Sequence, residues 1–433
     1  MTQSDTFKEN PIPRKLTAVT VPAGMGGVLK LASVIGPALA GTGPAILPMA
    51  AEPEFLVSQT RNALKPDDQN FPLESSDVAI VCATSGSTGS PRGVLLKESA
   101  LAAAASAFGS RFGTNNRWVI SMPAHRIAGI MVLVRSWYHG SPYEIDPSVG
   151  GARQFEAATF AATTMRAVRE SEKDGRALMV SLVPTQIARL LEAGSVGIEA
   201  LQSYDLVLSG AAATPQPMLQ RLRELGVKVS VSYGMTETCG GCVFDGSPLD
   251  GVAISLGTKD DVEPGRITIS GPVAASGYRL RPDLDAISFI SGRVQTHDVG
   301  KLDASGLLHI LGRLDDVVTV GGVNVALSAV ESLMRHHPAI EDVAVIDVQD
   351  ELWGSIPIAY VVSRLHLSNT SSLIDELQST VRNQIGRSAV PRTIQFVEAL
   401  PMLDSGKIDR ISLRMQASTD LTQRRFPHPG ASS

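Results

Sequence analysis

Residues 78–93, VAIVCATSGSTGSPRG, pass from an apolar run straight into a loop of serine, threonine and glycine, and this junction decides the fold. The apolar run predicts a buried strand. The loop at 84–93 holds three glycines, five hydroxyl side chains and Arg92. Glycines let backbone N–H groups turn toward an anion, and hydroxyls donate to phosphate oxygens. A phosphate-binding loop is therefore one interpretation and a plain Ser/Gly turn the other, while the spacing fits neither a Walker A nor a GxGxxG motif.

Outward from this junction, short apolar runs alternate with helical stretches. The strands expected are at 119–122, 178–183, 206–208 and 229–231. The helices include 99–108, with Ser99 as its cap, and 127–137. Alternating strands and helices indicate parallel sheets covered on both faces, in which ligands lie at the carboxyl ends of strands.

The pattern changes after residue 266, first to hairpins and then, from 316, to a smaller α+β pattern. The chain is therefore expected to be α/β. A large N-terminal domain (1–314) would combine helix-covered sheets with a β-barrel-like part. A hinge would join it to a smaller α+β domain (316–411), and residues 412–433 are expected to form a flexible tail.

Composition narrows the class of protein. The chain has 433 residues and a net charge of −5, which suggests two or three domains and gives no reason to expect nucleic-acid binding. Only three cysteines are present, and Cys239 and Cys242 are interpreted as small residues beside a glycine turn rather than a zinc or redox pair. No signal peptide is visible, and Pro37, Pro44 and Pro48 interrupt the apolar stretch at 31–50, so a cytoplasmic protein without a transmembrane segment is expected.

A second polar loop follows the strand at 229–231 and reads Ser-Tyr-Gly-Met-Thr-Glu-Thr from residue 232. Glu237 could hold Mg²⁺, which prefers a few carboxylates together with substrate phosphates. Thr236 could donate to a phosphate, and Tyr233 offers an aromatic face to a base. A solvated loop is the alternative interpretation.

Two further segments carry charged residues near glycines. Asp298 could accept hydrogen bonds from ribose hydroxyls and Arg313 could reach ribose or phosphate, although a hairpin turn explains the same residues. Lys407 lies in a turn near the end of the smaller domain, where a cation could be delivered to a polyanionic transition state. A surface lysine is the simpler interpretation of that residue alone.

Taken together and in this order, the four segments resemble the adenylate-forming superfamily of acyl-CoA synthetases, adenylation domains and luciferases, over residues 76–410. The resemblance implies ATP, Mg²⁺, coenzyme A and a small carboxylic acid as ligands. It implies a phosphate loop formed by Thr84, Ser85, Gly86, Ser87, Thr88, Gly89 and Arg92, in which Arg92 replaces the usual lysine. It implies that Ser209, Gly210, Ala211 and Tyr233 line the adenine and acyl pocket and that Asp298 and Arg313 bind the ribose. By the same resemblance Glu237 would contact the metal, Thr236 the α-phosphate, Lys407 would be the adenylation lysine and Asp315 the hinge.

A finer resemblance concerns the acid. The phosphate loop begins near residue 84, so the N-terminal region looks truncated relative to the superfamily. This compactness, together with the segment at 232–242 and the nearby Leu249-Asp250-Gly251-Val252, resembles the compact actinobacterial form of the o-succinylbenzoate–CoA ligases of menaquinone biosynthesis. His125 matches a histidine at the acyl pocket of that family, and Arg126 and Arg135 are candidates for the second carboxylate of the substrate. A packing histidine and surface arginines are the alternatives. Another aryl- or fatty-acyl-CoA synthetase, a domain feeding a carrier protein, and a nucleotide-binding relative without ligase activity stay open, as does a homodimer.

Overall fold

The computed structural model describes residues 14–85, 91–258, 261, 263–350, 353–364, 370–402 and 408–425. The chain divides into two compact units. Unit 1 comprises Met1–Thr214, Gln220–Ile254 and Thr268–Gln295. Unit 2 comprises Pro215–Leu219, Ser255–Ile267 and Thr296–Ser433. The functional boundary at residue 315 stays a prediction.

The first sheet of unit 1 carries the decisive junction. Its strands, in the order β1-β2-β3-β4, are β1 (Leu16–Val21), β2 (Ala45–Ala50), β3 (Val78–Ser85) and β4 (Pro91–Lys97), and its helices are α1 (Met25–Leu39) and α2 (Glu54–Leu64). β1, β2 and β3 run parallel, whereas β4 returns antiparallel beside β3. The segment rich in serine and glycine therefore connects two antiparallel strands.

The second sheet is mostly parallel. Its order is β11-β10-β9-β8-β7-β5-β6, with β5 (Asn116–Ile120), β6 (Tyr143–Ile145), β7 (Ala177–Leu182), β8 (Leu206–Ser209), β9 (Val229–Met235), β10 (Gly240–Phe244) and β11 (Ser247–Pro248). Its helices are α3 (Glu98–Phe112), α4 (Ile127–His139), α5 (Ala157–Asp174), α6 (Pro184–Glu192), α7 (Ser195–Gln202) and α8 (Gln216–Glu224). Every residue of β5 is buried, as expected for a strand covered on both faces.

The predicted cap of α3 is wrong. The helix begins at Glu98, one residue before Ser99, and Lys97 occupies the cap position without a side-chain hydrogen bond. The strand β4, which sequence patterning did not separate from the helix, ends at Lys97 and leads directly into α3. Ser99 therefore lies inside the first turn.

A third sheet follows, with the hairpin character that the sequence indicates. It has the order β12-β13-β15-β14, with β16 pairing to β15, and contains β12 (Ala253–Ser255), β13 (Gly265–Ser270), β14 (Phe289–Ile290), β15 (Arg293–Leu302), β16 (Leu308–Arg313) and helix α9 (Pro282–Ser288).

The fourth sheet belongs to unit 2 and is covered on both faces. Its order is β18-β17-β20-β19, with β21 beside β20, and its elements are β17 (Val317–Val320), β18 (Val323–Ala326), α10 (Leu327–Arg335), β19 (Ile340–Asp350), β20 (Gly354–Ser363), α11 (Ser371–Gln384), β21 (Thr393–Phe396) and α12 (Arg410–Arg425). Val343 and Val345 of β19 pack toward α10 and α11, whereas Ala344 and Ile346 pack on the opposite face with Leu413 of α12. Successive side chains of β19 therefore point alternately into two hydrophobic cores.

Residues 412–425 do not form the flexible tail that we expected. They continue α12, which begins where the carboxylate of Asp409 accepts hydrogen bonds from the backbone N–H groups of Ile411 and Ser412. Leu413 and Ala417, one turn apart, are 1% exposed. The polar composition misled the prediction because two apolar residues at helical spacing suffice to fasten the helix to the sheet. Residues 426–433 lie outside the described residues.

As far as the chain is described, no helix combines the length and apolar composition that a membrane crossing requires.

Candidate active site

The β3–β4 hairpin frames the predicted phosphate loop. Thr84 pairs with Arg92 across the hairpin, and the Thr84 hydroxyl donates to the Arg92 carbonyl over 3.4 Å. Arg92 is half-buried, and none of the described residues offers a hydrogen-bond partner to its buried Nε. The predicted loop residues between these strands lie outside the described residues; they are Gly86, Ser87, Thr88 and Gly89.

The end of β8 carries the predicted pocket segment. Ser209 is fully buried and its hydroxyl lies 2.7 Å from that of Thr214. Gly210 and Ala211 follow at the carboxyl end of the strand, and Ala211 has a positive φ of 64°. β9 runs parallel to β8, so its carboxyl end, with Tyr233, lies at the same edge of the sheet. Tyr233 is half-buried.

Glycines let β9 and β10 approach each other closely beside the second polar loop. A Cβ on Gly234 would lie 2.1 Å from the carbonyl oxygen of Gly240, and a Cβ on Gly241 would lie 2.1 Å from the Ser232 hydroxyl. Between the strands, residues 236–238 form a 3₁₀ turn, in which Thr238 accepts a hydrogen bond from the Met235 N–H. The turn places Thr236 in the interior.

Glu237 of this turn is half-buried and accepts a hydrogen bond from a tyrosine that sequence reasoning missed. The hydroxyl of Tyr278 lies 2.7 Å from Glu237 Oε1. Burial, and then the negative charge of Glu237, raise the pKa of Tyr278 well above its ordinary value. Tyr278 lies 41 residues further along the chain, and its only signal is the short run Gly277-Tyr278-Arg279. Nothing in that run predicts that its tyrosine donates a hydrogen bond to a carboxylate.

His125 precedes α4 and is held largely out of water. Its Nε2 is buried, and no described residue supplies it with a hydrogen-bond partner. Burial, and secondly the charge of Arg126, lower the pKa of His125 to about 4. The imidazole is therefore neutral at neutral pH. Arg126 is half-buried, and its Nε likewise has no partner among the described residues.

Arg135 is the most deeply buried of the candidate cations, with 4% of its surface exposed. Its guanidinium carbon lies 3.9 Å from the ring centre of Phe108 and 5.7 Å from that of Trp118. Burial lowers the pKa of Arg135 to about 9. Within the described part of the chain no acidic side chain pairs with it, and its Nε has no hydrogen-bond partner. A surface arginine is therefore excluded.

One face of α4 connects Arg135 with the strand that follows the Glu237 turn. Ile127, Met131 and Arg135 are spaced at four residues, which places them on one side of the helix. A Cβ on Gly240 of β10 would lie 3.3 Å from Met131 Cγ and 3.7 Å from Ile127 Cγ1. The helix face that carries Arg135 is thus packed against β10.

The cysteines belong to the interior of unit 1. Cys82, Cys239 and Cys242 are free and buried, and burial raises the pKa of Cys82 and of Cys242 to about 12. Thiols with such high pKa values are poor nucleophiles at neutral pH.

The remaining candidate residues lie in unit 2. Asp298 and Arg313 face each other across β15 and β16, with Arg313 Nη1 3.4 Å from Asp298 Oδ1. Asp298 is buried and Arg313 is exposed, and the backbone continues into the 3₁₀ turn Leu314–Asp316, which includes Asp315. Lys407 lies outside the described residues. The base of its loop is closed by a bridge between Met402 and Ile408.

Comparison with known proteins places both parts of the chain in one family. Residues 40–279 match the AMP-binding enzyme family, and residues 329–407 match the AMP-binding enzyme C-terminal domain. A protein of Mycobacterium tuberculosis (strain CDC 1551 / Oshkosh), named probable 2-succinylbenzoate–CoA ligase, is 35% identical over 403 residues, which are 92% of this chain and 97% of that one. The 2-succinylbenzoate–CoA ligase of Bacillus subtilis (strain 168) is 29% identical over 79% of this chain and 70% of its own length.

Solved structures share the fold. The o-succinylbenzoate CoA synthetase of Bacillus subtilis, in complex with its acyl-adenylate intermediate, has a TM-score of 0.69 and 24% identity, covering 93% of this chain and 88% of that one. The ATP-bound MatB of Rhodopseudomonas palustris has a TM-score of 0.76 and 21% identity, with 94% and 89% covered. These likenesses show that the fold is the one predicted, with a larger N-terminal part and a smaller C-terminal part.

Proposed function

The chain belongs to the AMP-binding enzyme family, and from this premise we propose that it is an ATP-dependent acid–CoA ligase. Its substrate would be 2-succinylbenzoate and its product 2-succinylbenzoyl-CoA, an intermediate of menaquinone biosynthesis. The named relatives support both statements. The observation that carries the substrate assignment is the buried cation of Arg135.

The first step converts an unreactive carboxylate into a mixed anhydride. A carboxylate oxygen of the acid attacks the α-phosphorus of ATP, the bond to the β-phosphate oxygen breaks, and pyrophosphate leaves. Charge neutralisation and in-line positioning are the main requirements of such a transfer. We assign them to the loop at 84–93 with Arg92, to Thr236 at the α-phosphate, and to Lys407.

The residues around Glu237 fit a magnesium ion. One carboxylate oxygen accepts a hydrogen bond from the Tyr278 hydroxyl, and the carboxylate keeps further lone pairs that could hold a cation. Within the described residues no three His, Cys, Asp or Glu side chains cluster to hold a metal, so phosphate oxygens would complete the shell, as Mg²⁺ prefers. When bound, the ion would neutralise phosphate charge.

Further residues are proposed to hold the rest of the nucleotide. Tyr233, beside Ser209, Gly210 and Ala211, is proposed to stack on adenine, and Asp298 with Arg313 to bind the ribose. In the second step the CoA thiol attacks the acyl carbon, AMP leaves, and the thiol proton passes to solvent. Lys407 has no task in that step, and we propose that the small domain turns about Asp315 to clear the thiol path.

Arg135 supports an acid with two carboxylates. A buried, unpaired guanidinium is costly unless a bound anion completes it. In 2-succinylbenzoate the aliphatic carboxylate reacts, and the aromatic carboxylate is free to pair with Arg135. Neutral His125, two residues before the same helix, would line the acyl pocket beside the reacting group. Arg126 is the second candidate for the aromatic carboxylate.

The test uses purified protein with ATP, Mg²⁺, CoA and one acid at a time. The panel comprises 2-succinylbenzoate, benzoate, octanoate and 3-benzoylpropionate, which lacks only the aromatic carboxylate. Release of AMP and pyrophosphate is measured, and the thioester is identified by mass. We expect turnover with 2-succinylbenzoate and at least about 100-fold lower kcat/KM with 3-benzoylpropionate.

Other outcomes would reassign the protein. Equal or better turnover of benzoate or octanoate would make it a different acyl-CoA synthetase. AMP formation without a CoA thioester would favour transfer to a carrier protein. ATP binding without AMP formation from any acid would favour a nucleotide-binding relative. A cytoplasmic location and a homodimer also belong to the proposal, and light scattering of the purified protein tests the dimer.

A further inference from the structure

One segment of the chain, residues 275–279, holds Glu237 by both its backbone and its side chain. The backbone N–H of Ala275 donates to the Glu237 carbonyl over 2.8 Å. Three residues later, the Tyr278 hydroxyl donates to Glu237 Oε1 over 2.7 Å. Tyr278 is 5% exposed, so this hydrogen bond meets little competition from water.

Tyr278 is itself fixed in place. Its backbone N–H donates to Asp285 Oδ1 over 2.6 Å, and its ring packs edge-on against Phe289 with 5.3 Å between ring centres. Gly277 is required here, because a Cβ at that position would lie 2.7 Å from the Asp285 carboxylate. The hydroxyl of Tyr278 is therefore aimed before any ligand arrives.

The next residue anchors the segment to the body of unit 1. Arg279 is fully buried, and its guanidinium donates to four backbone carbonyls and to one carboxylate. The acceptors are the carbonyls of Leu64, Lys65, Phe71 and Pro72 and the side chain of Glu74. Such a fully satisfied guanidinium leaves the segment little freedom to move.

From this geometry we infer that Tyr278 is a positioning residue for Glu237, acting on the magnesium ion and not on the reacting atoms. The inference rests on the proposed function only in that Glu237 is taken as the magnesium ligand. The Tyr278 hydrogen bond to Oε1 restricts the rotation of the carboxylate, so that Glu237 would be held in one orientation toward the cation. Hydrogen-bonded partners of metal ligands commonly change metal affinity about 10- to 100-fold when they are removed.

The variant Tyr278→Phe removes only the hydroxyl, and the chain offers a matched control. Tyr138 of α4 donates to Oε1 of Glu98 of α3 over 2.5 Å, which is likewise a hydrogen bond from a tyrosine hydroxyl to a glutamate carboxylate. Tyr138→Phe therefore loses an equivalent hydrogen bond outside the second polar loop. Thermal unfolding of both variants shows how much stability each hydroxyl contributes.

The decisive readout is nucleotide binding, measured by calorimetry with ATP in the presence of Mg²⁺ and again in EDTA. We expect Tyr278→Phe to weaken binding about 10- to 100-fold with Mg²⁺ and to leave binding in EDTA within about twofold. Tyr138→Phe should match the wild type in both conditions. In a Glu237→Ala background, Tyr278→Phe should have no further effect, because its partner is gone.

Equal losses with and without Mg²⁺, or losses shared by Tyr138→Phe, would overturn the inference and leave Tyr278 a purely structural residue. An additive effect in the Glu237→Ala background would do the same. Failure of the proposed ligase function is seen separately, as absence of AMP formation by the wild type. The magnesium-dependent binding difference would still support the positioning role in that case.

Discussion

At the scale of single residues, burial decides the charge state of the groups that matter most. His125 lies two residues before α4 and Arg135 lies within that helix, and both are withdrawn from water without a described acidic partner. The imidazole responds by staying neutral, since its pKa falls to about 4. The guanidinium, whose pKa falls only to about 9, remains charged at neutral pH. Burial thus leaves one of these two groups neutral and the other cationic.

The lowered pKa of His125 predicts a pH dependence of stability. The unfolded side chain has a pKa of 6.5, so the unfolded state takes up a proton below that pH while the folded state resists until about 4. The contribution of neutral His125 to the free energy of unfolding is therefore present above pH 6.5 and is lost as the pH falls toward 4. Between pH 8 and pH 5 this single group should cost about 2 kcal/mol. Urea unfolding of wild type and His125→Gln at both pH values measures it, and an equal loss in the variant would contradict the assignment.

The proposed pairing of Arg135 with the aromatic carboxylate predicts that the protein prefers the diacid over the monoacid. Arg135→Met keeps the length and apolar contacts of the side chain but removes its charge. We expect the preference for 2-succinylbenzoate over 3-benzoylpropionate to fall roughly 100-fold, mainly through a higher KM for the diacid. Competition assays with the two acids measure the ratio. Arg126→Met is the matched control and should keep the preference; a loss confined to that variant would transfer the role to Arg126.

At the scale of elements, the pattern of apolar runs predicted β5, β7 and β8 of the second sheet to within a few residues, because strands covered on both faces are apolar along most of their length. It could not show that residues 91–97 return antiparallel to β3, since Pro91-Arg92-Gly93 interrupts the pattern. The position of Thr236 and Glu237 directly after a strand was predictable, because the polar loop follows the apolar run of β9, whereas their roles stay predictions. Tyr278 was not predictable, because its role arises from a contact between segments 41 residues apart.

The packing of α12 against the fourth sheet can be tested directly by substitution. Leu413 is 1% exposed and packs with Ile346 and Tyr360, whereas Ile411 on the same helix is 52% exposed. Leu413→Ala should destabilise this sheet and helix by about 3 kcal/mol, and Ile411→Ala by less than about 0.5 kcal/mol. Hydrogen exchange of the β19 and β20 amides reports the local free energy of opening. Similar protection in both variants would mean that the helix is detached in solution.

At the scale of the whole molecule, the proposed reaction divides into two half-reactions that use different residues. Lys407 is assigned to the first alone. Lys407→Ala should slow pyrophosphate exchange about 100- to 1,000-fold, the usual effect of removing one transition-state donor. The reaction of preformed acyl-adenylate with CoA should stay within about threefold of wild type. A parallel loss in both half-reactions would show that Lys407 has a structural role instead.

The hinge assignment makes a different prediction for the same two measurements. The backbone of Leu314–Asp316 forms a 3₁₀ turn. Proline at 315 would remove a backbone N–H and disfavour a helical conformation at Leu314, so it would restrict the backbone about which the small domain is proposed to turn. Asp315→Pro should therefore slow one half-reaction at least about tenfold more than the other, because a restricted hinge favours one arrangement. Asp315→Ala keeps the backbone free and should leave both rates near wild type. If proline slowed both half-reactions equally, or neither, the two steps would share one arrangement of the chain and residue 315 would not be a hinge.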